Sequence, residues 1–392
     1  MMQSNKKVAV FTGTRAEYGL LYWLLKDIDS DPGMTLQLLV SGAHLSPRFG
    51  MTYKQIEQDG FRIAAKVEML LASDSAIGTA KSIGLGVIGF ADELARLQPD
   101  VIVILGDRFE ALAAAQTALI LRIPIIHLHG GEITEGAYDD SIRHAITKMS
   151  YLHGVSTDEH RDRVIQLGES PERVVNIGAI GLDHLSKSTM MSLSQLESSL
   201  NFSLNNDFFI VTYHPETLAN ESPDIAFQSL LDALDAFPEY QVIITYPNAD
   251  DGGSEVIRLI EEYAATNTER VLATPSLGHI RYLSAVKHCA AVIGNSSSGI
   301  IEVPSFGVPT INIGMRQKGR MSASSVIHSD SSLASITQAI ELATSHNFKE
   351  KARDTVNPYG KGDSSARVIE MIKNLNVAAH KSFFDINISG YE

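Results

Sequence analysis

The chain has 392 residues, of which 44% are hydrophobic and 20% are charged, so it is long enough for two or three globular domains and too apolar to be disordered. The formal net charge of −14 argues against binding along a nucleic acid backbone, which needs a broad basic surface, but it is compatible with a small anion in a local basic cleft. The single cysteine, Cys289, excludes an internal disulfide and favours a reducing, cytoplasmic setting, and no apolar run reaches the roughly 18–20 residues that span a bilayer, so no membrane partner is expected.

Short β-branched runs alternate with longer helical patterns, which is typical of parallel strands joined by helical crossovers. The predicted strands are Val8–Phe11, Leu36–Val40, Val101–Leu105 and Ile123–Leu128, followed by Phe208–Thr212, Val242–Tyr246, Ala291–Ile293 and Thr310–Ile313. The first run has no small-residue cleavage pattern behind it, so we expect a core strand rather than a signal peptide. The pattern predicts an α/β fold with doubly wound parallel sheets.

The two sets of strands indicate two similar domains. The stretch 186–206, rich in Ser, Leu, Met and Asn, is the best candidate linker, with a short helix predicted at Leu193–Leu200. We therefore predict an N-terminal domain over 1–185, a C-terminal domain over 205–365, and a helix with a polar tail over 366–392. Two such halves predict a cleft between them, and ligands of these sheets bind beyond the carboxyl ends of the strands. The residues directly after each strand are thus the functional candidates.

Polar residues follow the first two strands. Gly13 and Arg15 lie in a turn ahead of a helix expected to begin near Gly19, and such a turn offers N–H groups to an anion, to which Arg15 adds positive charge. The alternative is a routine turn with a solvated arginine, and the G-x-G-x-x-G of a dinucleotide site is absent. His44 follows the second strand, where a lone histidine is more often structural than reactive.

Asp107 and Arg108 follow the third strand. A carboxylate at this place is poorly suited to packing, and the neighbouring guanidinium suits bidentate binding of a phosphate. The alternative is that Asp107 caps the next helix and that Arg108 is its partner at the surface. Both interpretations remain open from the sequence alone.

The densest polar cluster follows the fourth strand. Its candidates are His127, His129, Glu132, Asp139 and Asp140. Strand alternation predicts the two histidines on one face, and the carboxylates return to the same neighbourhood. Histidines and carboxylates in one cleft suit proton transfer, because neighbouring charges push their pKa values apart. A metal site is disfavoured because no further ligand has the expected spacing, and the aspartates alternatively cap a helix that begins at Ile142.

Three further motifs follow strands in the second half. They contain His214 (213–217), Asn248 (247–250), and Ser296 with Ser297 (294–299). The serine turn is the most specific, because a strand, a small polar turn and a helix supply hydroxyl and N–H groups for a diphosphate. It lacks the Gly-Lys-Ser/Thr of a P-loop, which disfavours ATP hydrolysis, and a plain helix cap by Asn295 or Ser296 is the alternative.

Two charged candidates complete this half. Glu302, about two turns into the helix after the serine turn, suits hydrogen bonds from ribose hydroxyls, although alone it would be a surface charge. Arg316 belongs to a basic cluster that reaches Arg320, and it either neutralises a phosphate or lies in solvent. Together the motifs predict a nucleoside diphosphate held without an obligatory metal ion, a layout that suits a nucleotide-sugar enzyme.

In this order the motifs resemble the hydrolysing UDP-N-acetylglucosamine 2-epimerase family, of the bacterial sialic-acid and legionaminic-acid pathway type. The matching segments are 13–18, 106–110, 129–132, 139–144, 214–217, 246–248 and 294–299, within a resemblance over about residues 5–365. The resemblance implies a GT-B fold of two Rossmann-like domains with an interdomain cleft, no cofactor, and a homodimer or homotetramer.

It also implies the reaction. A base removes the C2 proton of UDP-N-acetylglucosamine while UDP leaves C1, and water adds to the resulting 2-acetamidoglucal to release N-acetylmannosamine. The resemblance places His44, Asp107 and Asp139 at the sugar and His214 near the diphosphate. It assigns to UDP the residues Arg15, Arg108, Asn248, Ser296, Ser297, Glu302 and Arg316.

The identity of the C2 base is left open by one departure from the family pattern. Many relatives carry Glu where this chain has His129, so either Glu132 or His129 must serve, together with Asp107, while Asp139 assists water or the sugar hydroxyls. Because leaving diphosphate builds positive charge at C1, we expect stabilisation of the departing anion to be the largest contribution to catalysis.

Other functions fit the same motifs. The first is the same reaction on UDP-2,4-diacetamido-2,4,6-trideoxyglucose, since small pocket changes decide the sugar. A non-hydrolysing 2-epimerase would return UDP-N-acetylmannosamine, and a GT-B glycosyltransferase would pass the sugar to an acceptor. A nucleotide-sugar-binding regulator is disfavoured by the many carboxylates.

Overall fold

The computed structural model describes residues 5–73, 75–134, 138–215, 222–247, 253–377 and 381–386. The chain forms two compact units, the first from Met1–Ser186 together with Tyr359–Glu392, and the second from Lys187–Pro358. Each unit contains one parallel sheet with helices in the connections between strands. No helix within the described ranges is both long and apolar enough to cross a membrane.

The described part of the first unit contains a seven-stranded parallel sheet. Its strands are β1 (Lys6–Thr12), β2 (Met34–Ser41), β3 (Ile63–Val67), β4 (Val101–Leu105), β5 (Ile125–Leu128), β6 (Leu152–Val155) and β7 (Val174–Asn176). Their order in the sheet is β3-β2-β1-β4-β5-β6-β7. The order reverses between β1 and β4, so the loops after these two strands lie side by side at the carboxyl edge, where ligands of doubly wound sheets bind.

Helices connect these strands. They are α1 (Arg15–Ser30), α2 (Tyr53–Gln58), α3 (Ala76–Leu97), α4 (Phe109–Ile120), α5 (Tyr138–Met149), α6 (Asp158–Gln166) and α7 (Asp183–Lys187). Side chains of β1 alternate between two apolar clusters, with Val8 and Val10 in one and Ala9 and Phe11 in the other. Burial on both faces of the sheet explains why the central strands are continuous apolar runs.

The second unit repeats this architecture with six parallel strands among its described residues. They are β8 (Phe208–Thr212), β9 (Gln241–Thr245), β10 (Val271–Thr274), β11 (Ala291–Gly294), β12 (Thr310–Ile313) and β13 (Val326–Ser329), in the order β10-β9-β8-β11-β12-β13. The helices are α8 (Leu193–Leu200), α9 (Pro223–Asp235), α10 (Gly253–Thr266), α11 (Gly278–His288), α12 (Ser297–Ile301), α13 (Leu333–Thr344) and α14 (His346–Arg353). Cys289 is buried in an apolar cluster of this unit.

The ends of the second unit differ from the predicted boundaries. The expected linker contains α8, which packs against α11 through the buried Leu196, so it is part of the second unit. The last helix of the described residues, α15 (Ser364–Lys373), does not form a separate tail, because its apolar face packs on α1 in the first unit. Its start is fixed by Asp183, whose carboxylate accepts hydrogen bonds from the N–H groups of Ser364 and Ser365, each at 2.8 Å.

Candidate functional site

The turn after β1 is closed by a carboxylate of its own helix. Helix α1 begins at Arg15, earlier than expected, with Thr14 as its N-cap. Oε2 of Glu17 accepts hydrogen bonds from the N–H groups of Gly13 at 2.7 Å and Thr14 at 3.0 Å. Burial raises the pKa of Glu17 to about 7. The prediction that the turn offers free N–H groups to an anion is therefore wrong for Gly13 and Thr14. The Arg15 side chain, at the first helical position, is exposed.

His44 follows β2, at the carboxyl edge of the same sheet. Its side chain is fully buried, with Nε2 3.0 Å from Thr12 Oγ1 and Nδ1 2.7 Å from Thr52 Oγ1. Burial lowers the pKa of His44 to about 4, so the ring is neutral at pH 7. His44 thus joins the end of β1 to the start of α2, and both ring nitrogens are engaged by threonine hydroxyls.

The loop after β4 presents Asp107 and Arg108. Arg108, not Asp107, occupies the N-cap position of α4, and its side chain makes no capping bond, so the predicted cap by Asp107 is wrong. The guanidinium of Arg108 instead pairs with the buried Glu110, with Nε at 3.1 Å from Oε2 and Nη2 at 3.2 Å from Oε1. Gly42 (φ +59°) faces this pair, and a Cβ there would lie 2.9 Å from Glu110 Oε1, so only glycine fits without displacement.

Arg143 connects the carboxylates of the first unit, a role that sequence analysis missed. Its guanidinium contacts Asp107 through Nη2 and Asp140 at 3.2 Å through Nη1. Nη1 also donates to the carbonyl of Glu132 at 2.7 Å and Nη2 to Thr134 Oγ1 at 2.8 Å. The available signal was the spacing of Asp140 and Arg143, which places both on one face of a helix.

Asp139 belongs to the same neighbourhood. It lies in the first turn of α5, which begins at Tyr138 and not at Ile142, so the predicted cap by the aspartates is wrong. Burial raises the pKa of Asp139, the nearby carboxylate of Asp107 raises it further, and the guanidinium groups of Arg108 and Arg143 oppose the rise. The structure therefore brings together two carboxylates and two guanidinium groups from the loop after β4 and from helix α5.

His127 and His129 have different surroundings. His127 is fully buried, with Nε2 2.7 Å from the Gly106 carbonyl and Nδ1 3.1 Å from Thr147 Oγ1, and burial lowers its pKa to about 3. His129 follows the strand in the left-handed backbone region, with φ at +62°, so the expected alternation ends before it. Across the described ranges, no three His, Cys, Asp or Glu side chains are grouped to hold a metal ion.

Glu132 is surrounded by hydrogen-bonding side chains. Its Oε1 atom lies 3.1 Å from Nδ1 of His129 and accepts a hydrogen bond from Ser156 Oγ at 3.0 Å. Nε2 of His129 accepts the N–H of Ile180 at 3.1 Å, and Ser156 Oγ lies 2.9 Å from Nδ1 of His160. Ser156 and His160 are therefore neighbours of the site that the sequence did not indicate.

The serine turn of the second unit is organised by Asn295. Its Oδ1 accepts the N–H of His214 at 2.7 Å, its Nδ2 donates to the carbonyl of His214 at 2.8 Å, and the side chain is fully buried. The preceding Gly294 has φ at +134°, and a Cβ there would collide with the Thr212 carbonyl. Asn295 thus joins the ends of β8 and β11 and does more than cap a helix.

The remaining candidates surround this turn. Ser296 caps the short helix α12, and its Oγ accepts the N–H of Ser298 at 3.4 Å, while Ser297 is half-buried. Glu302 follows α12 and does not lie within a longer helix, and burial raises its pKa against the opposing effect of the Ser298 hydroxyl. Nη1 of Arg316 donates to the Asn295 carbonyl at 3.2 Å.

Asn248 lies outside the described residues, as do Glu216 and Thr217 of the motif that contains His214.

The sequence matches the family model described as UDP-N-acetylglucosamine 2-epimerase over residues 26–373. The chain belongs to this family. The resemblance seen in the motifs is thereby confirmed, and with it an enzyme of the hydrolysing UDP-sugar 2-epimerase type.

Three relatives within this family match nearly the whole chain. The GDP/UDP-N,N'-diacetylbacillosamine 2-epimerase (hydrolyzing) of Campylobacter jejuni is 41% identical over 98% of this chain and 100% of its own. The UDP-N,N'-diacetylbacillosamine 2-epimerase (hydrolyzing) of Legionella pneumophila is 34% identical over 94% and 96%. The UDP-N-acetylglucosamine 2-epimerase of Neisseria meningitidis serogroup B is 34% identical over 98% and 100%.

The fold is shared with solved family members. The crystal structure of UDP-GlcNAc 2-epimerase from Neisseria meningitidis bound to UDP-GlcNAc matches with a TM-score of 0.78 at 18% identity, over 94% of this chain and 100% of that chain. Together with the two parallel sheets, this likeness confirms the predicted GT-B-like fold with two Rossmann-like domains.

Proposed function

We propose that the enzyme converts UDP-N,N'-diacetylbacillosamine and water into UDP and 2,4-diacetamido-2,4,6-trideoxymannose. This substrate is UDP-2,4-diacetamido-2,4,6-trideoxyglucose, the alternative to UDP-N-acetylglucosamine that the sequence left open. The observation that carries the proposal is the 41% identity, over 98% of this chain, to the Campylobacter relative, whose name gives N,N'-diacetylbacillosamine as the sugar and GDP or UDP as the nucleotide. The Legionella relative adds support.

The second unit is proposed to bind the nucleotide. The hydroxyls of Ser296 and Ser297 and the guanidinium of Arg316 supply donors and positive charge for the diphosphate, and Glu302 accepts hydrogen bonds from the ribose. His214 lies next to this turn through its bonds to Asn295. Asn248 remains a sequence-based expectation for the same ligand.

The first unit is proposed to serve the sugar. Asp107 and Asp139 are held among guanidinium groups, with Arg108 beside them, and the exposed Arg15 begins α1. These arginines offset the charge of the departing diphosphate, while Asp107 shares the proton transfers at C2 with Glu132 or His129. His44 is left out of the reacting groups because it is fully buried between two threonine hydroxyls.

The reaction is tested by incubation of the sugar nucleotide in heavy-oxygen, deuterated water. Elimination followed by hydration places deuterium at C2 and heavy oxygen at C1, and it leaves the released UDP without heavy oxygen. Heavy oxygen in UDP would indicate cleavage at phosphorus and would contradict the proposal. Intact UDP-sugar with the inverted C2 would identify a non-hydrolysing epimerase.

Asp107 is tested by the isosteric change Asp107→Asn. Because the amide cannot exchange a proton as a carboxylate does, we expect kcat to fall by about 10²–10⁴-fold. Near-normal UDP release by a folded variant would remove Asp107 from the proposed mechanism.

UDP-N-acetylglucosamine is the second candidate substrate, favoured by the family description and by the Neisseria relative. The two sugars differ at C4 and C6, so the ratio of kcat/KM values for the two sugar nucleotides decides between them. We expect the sugar nucleotide with the diacetamido sugar to have the higher kcat/KM. A ratio in favour of UDP-N-acetylglucosamine would restore the first expectation from the sequence.

A further inference from the structure

We propose that Glu132, and not His129, takes the C2 proton in the reaction proposed above, on which this inference rests. His129, Ser156 and His160 then act as positioning residues that hold the Glu132 carboxylate. The sequence left the choice of base open, because both residues belong to one motif. The hydrogen bonds around the two side chains distinguish between them.

The lone pair of the His129 ring is already used. The N–H of Ile180 donates to Nε2 at 3.1 Å, so this nitrogen carries no proton and accepts from the backbone. A neutral imidazole then has its proton on Nδ1, which lies 3.1 Å from Oε1 of Glu132. A base needs a lone pair directed at the substrate, and neither nitrogen of this ring has one to offer.

The backbone of His129 is adapted to this position. Its φ of +62° is uncommon for a residue other than glycine, and its own N–H is fixed to the Gly154 carbonyl at 2.8 Å. The bond from Ile180 fixes the far side of the ring. Two contacts from different parts of the chain therefore hold the ring against Glu132, as expected of a positioning residue.

Ser156 and His160 approach the same carboxylate from the start of α6. The single hydroxyl proton of Ser156 is donated to Glu132 Oε1 at 3.0 Å, so Ser156 can only accept from Nδ1 of His160, 2.9 Å away. His160 is buried, its N–H is bonded to Thr157 Oγ1 at 3.2 Å, and burial lowers the pKa of its ring. A neutral His160 ring with its proton on Nδ1 therefore donates to Ser156 Oγ, which in turn donates to the Glu132 carboxylate.

The proposed step balances without any further reactant. The Glu132 carboxylate takes the proton from C2, and the electron pair of that C–H bond forms the C1–C2 double bond. The bond from C1 to the diphosphate oxygen breaks, and its electron pair leaves with UDP. A carboxylate held by two neighbours is oriented before the substrate arrives, which lowers the entropic cost of reaching the transition state.

The decisive comparison is Glu132→Gln against His129→Asn in the full-length enzyme, with kcat and KM measured by UDP release. Asparagine tolerates the left-handed backbone and keeps an N–H donor near the place of Nδ1. If Glu132 is the base, Glu132→Gln lowers kcat by about 10²–10⁴-fold. His129→Asn lowers kcat by only about tenfold, the effect of weakening one positioning contact, and changes KM by less than about twofold.

The hydrogen-bond chain is tested in the same assay. Ser156→Ala lowers kcat by about tenfold with little change in KM, while Ser156→Thr, which keeps the hydroxyl, retains more activity. His160→Leu behaves like Ser156→Ala, and His160→Asn, which keeps a donor at the place of Nδ1, restores part of kcat. His346→Asn, an exposed position of the second unit, is the control and leaves kcat unchanged.

The possible outcomes separate this inference from the proposed function. Loss of activity in His129→Asn equal to that in Glu132→Gln would make His129 the base and would overturn the inference, as would unchanged kcat in Ser156→Ala and His160→Leu. If the wild-type enzyme releases no UDP from either sugar nucleotide, the proposed function itself fails. Circular dichroism checks folding, and Ser156→Thr and His160→Asn carry the test if the more disruptive variants do not fold.

Discussion

Lys381 places its ammonium group 2.6 Å from Oε2 of Glu169, whose side chain is fully buried in the first unit. Lys148 lies 2.7 Å from Oε1 of the same carboxylate, and Nε2 of His153 lies 2.9 Å from Oε2. Lys381 also donates to the Ser150 carbonyl at 2.6 Å. The described segment 381–386 is thus held to the sheet region of the first unit by the buried Glu169 carboxylate.

Loss of the Lys381 ammonium is expected to destabilise the protein. Lys381→Met removes one donor from a buried carboxylate but leaves two, so we expect the free energy of unfolding to fall by about 1–3 kcal/mol, less than for a buried pair that loses its only partner. Urea denaturation at pH 7 measures the change. The control Lys54→Met, at an exposed position, should stay within about 0.5 kcal/mol of wild type. Equal losses in both variants would contradict a specific role of the Lys381–Glu169 contact.

The contribution of Glu169 is expected to depend on pH. Burial alone would raise the pKa of Glu169, but hydrogen bonds from His153, Lys148 and Lys381 outweigh it and hold the pKa at about 2, below its usual 4.5. Because the folded pKa is the lower one, the ionised carboxylate stabilises the fold above about pH 4.5, and this stabilisation disappears as the pH falls towards 2. The stability difference between wild type and Glu169→Gln in urea should be largest at pH 5–7 and shrink below pH 4. A difference that grows with acidification would show the opposite sign of the shift.

The sequence predicted the centre of each sheet and missed its edges. The eight expected strands correspond to β2, β1, β4 and β5 in the first sheet and to β9, β8, β11 and β12 in the second. The missed strands are β3, β6, β7, β10 and β13, of which all but β6 lie at an edge. Central strands are buried on both faces and form continuous apolar runs, whereas edge strands are short and partly polar, so periodicity alone does not distinguish them from loops.

The same limit applies to the candidate site. Polar residues after the strands could be found because the carboxyl edge of a parallel sheet is a general ligand position. Their partners could not, since Arg143 meets Asp107 and Asn295 meets His214 only after the chain has folded. Glu17 is an example. Its carboxylate accepts the hydrogen bonds of two N–H groups that the sequence pattern would assign to an anionic ligand.

Arg143 is expected to be essential for the geometry of the first-unit carboxylates. Its planar guanidinium contacts Asp107, Asp140 and the Glu132 carbonyl at once, which an ammonium group cannot reproduce. Arg143→Lys should therefore keep the positive charge and yet lower kcat by about 10–100-fold, from a loss of about 1.4–2.7 kcal/mol in transition-state stabilisation. UDP release measures kcat, and circular dichroism checks folding. Wild-type kcat in Arg143→Lys would mean that charge alone suffices at this position.

Asn295 is expected to support nucleotide binding through the backbone of His214. Asn295→Ala removes the side-chain partners of the His214 N–H and carbonyl, which should lower the free energy of unfolding by about 1–3 kcal/mol and weaken UDP binding about tenfold. Asn295→Asp keeps the acceptor for the N–H but turns a carboxylate oxygen towards the His214 carbonyl and adds a buried negative charge, so its Kd should be at least as high as that of Asn295→Ala. Isothermal titration of the full-length chain with UDP measures Kd, and Asn206→Ala, at an exposed position, is the control. If Asn295→Ala is destabilised but binds UDP with wild-type affinity, the hydrogen bonds between Asn295 and His214 support folding alone. UDP binding would then not depend on them.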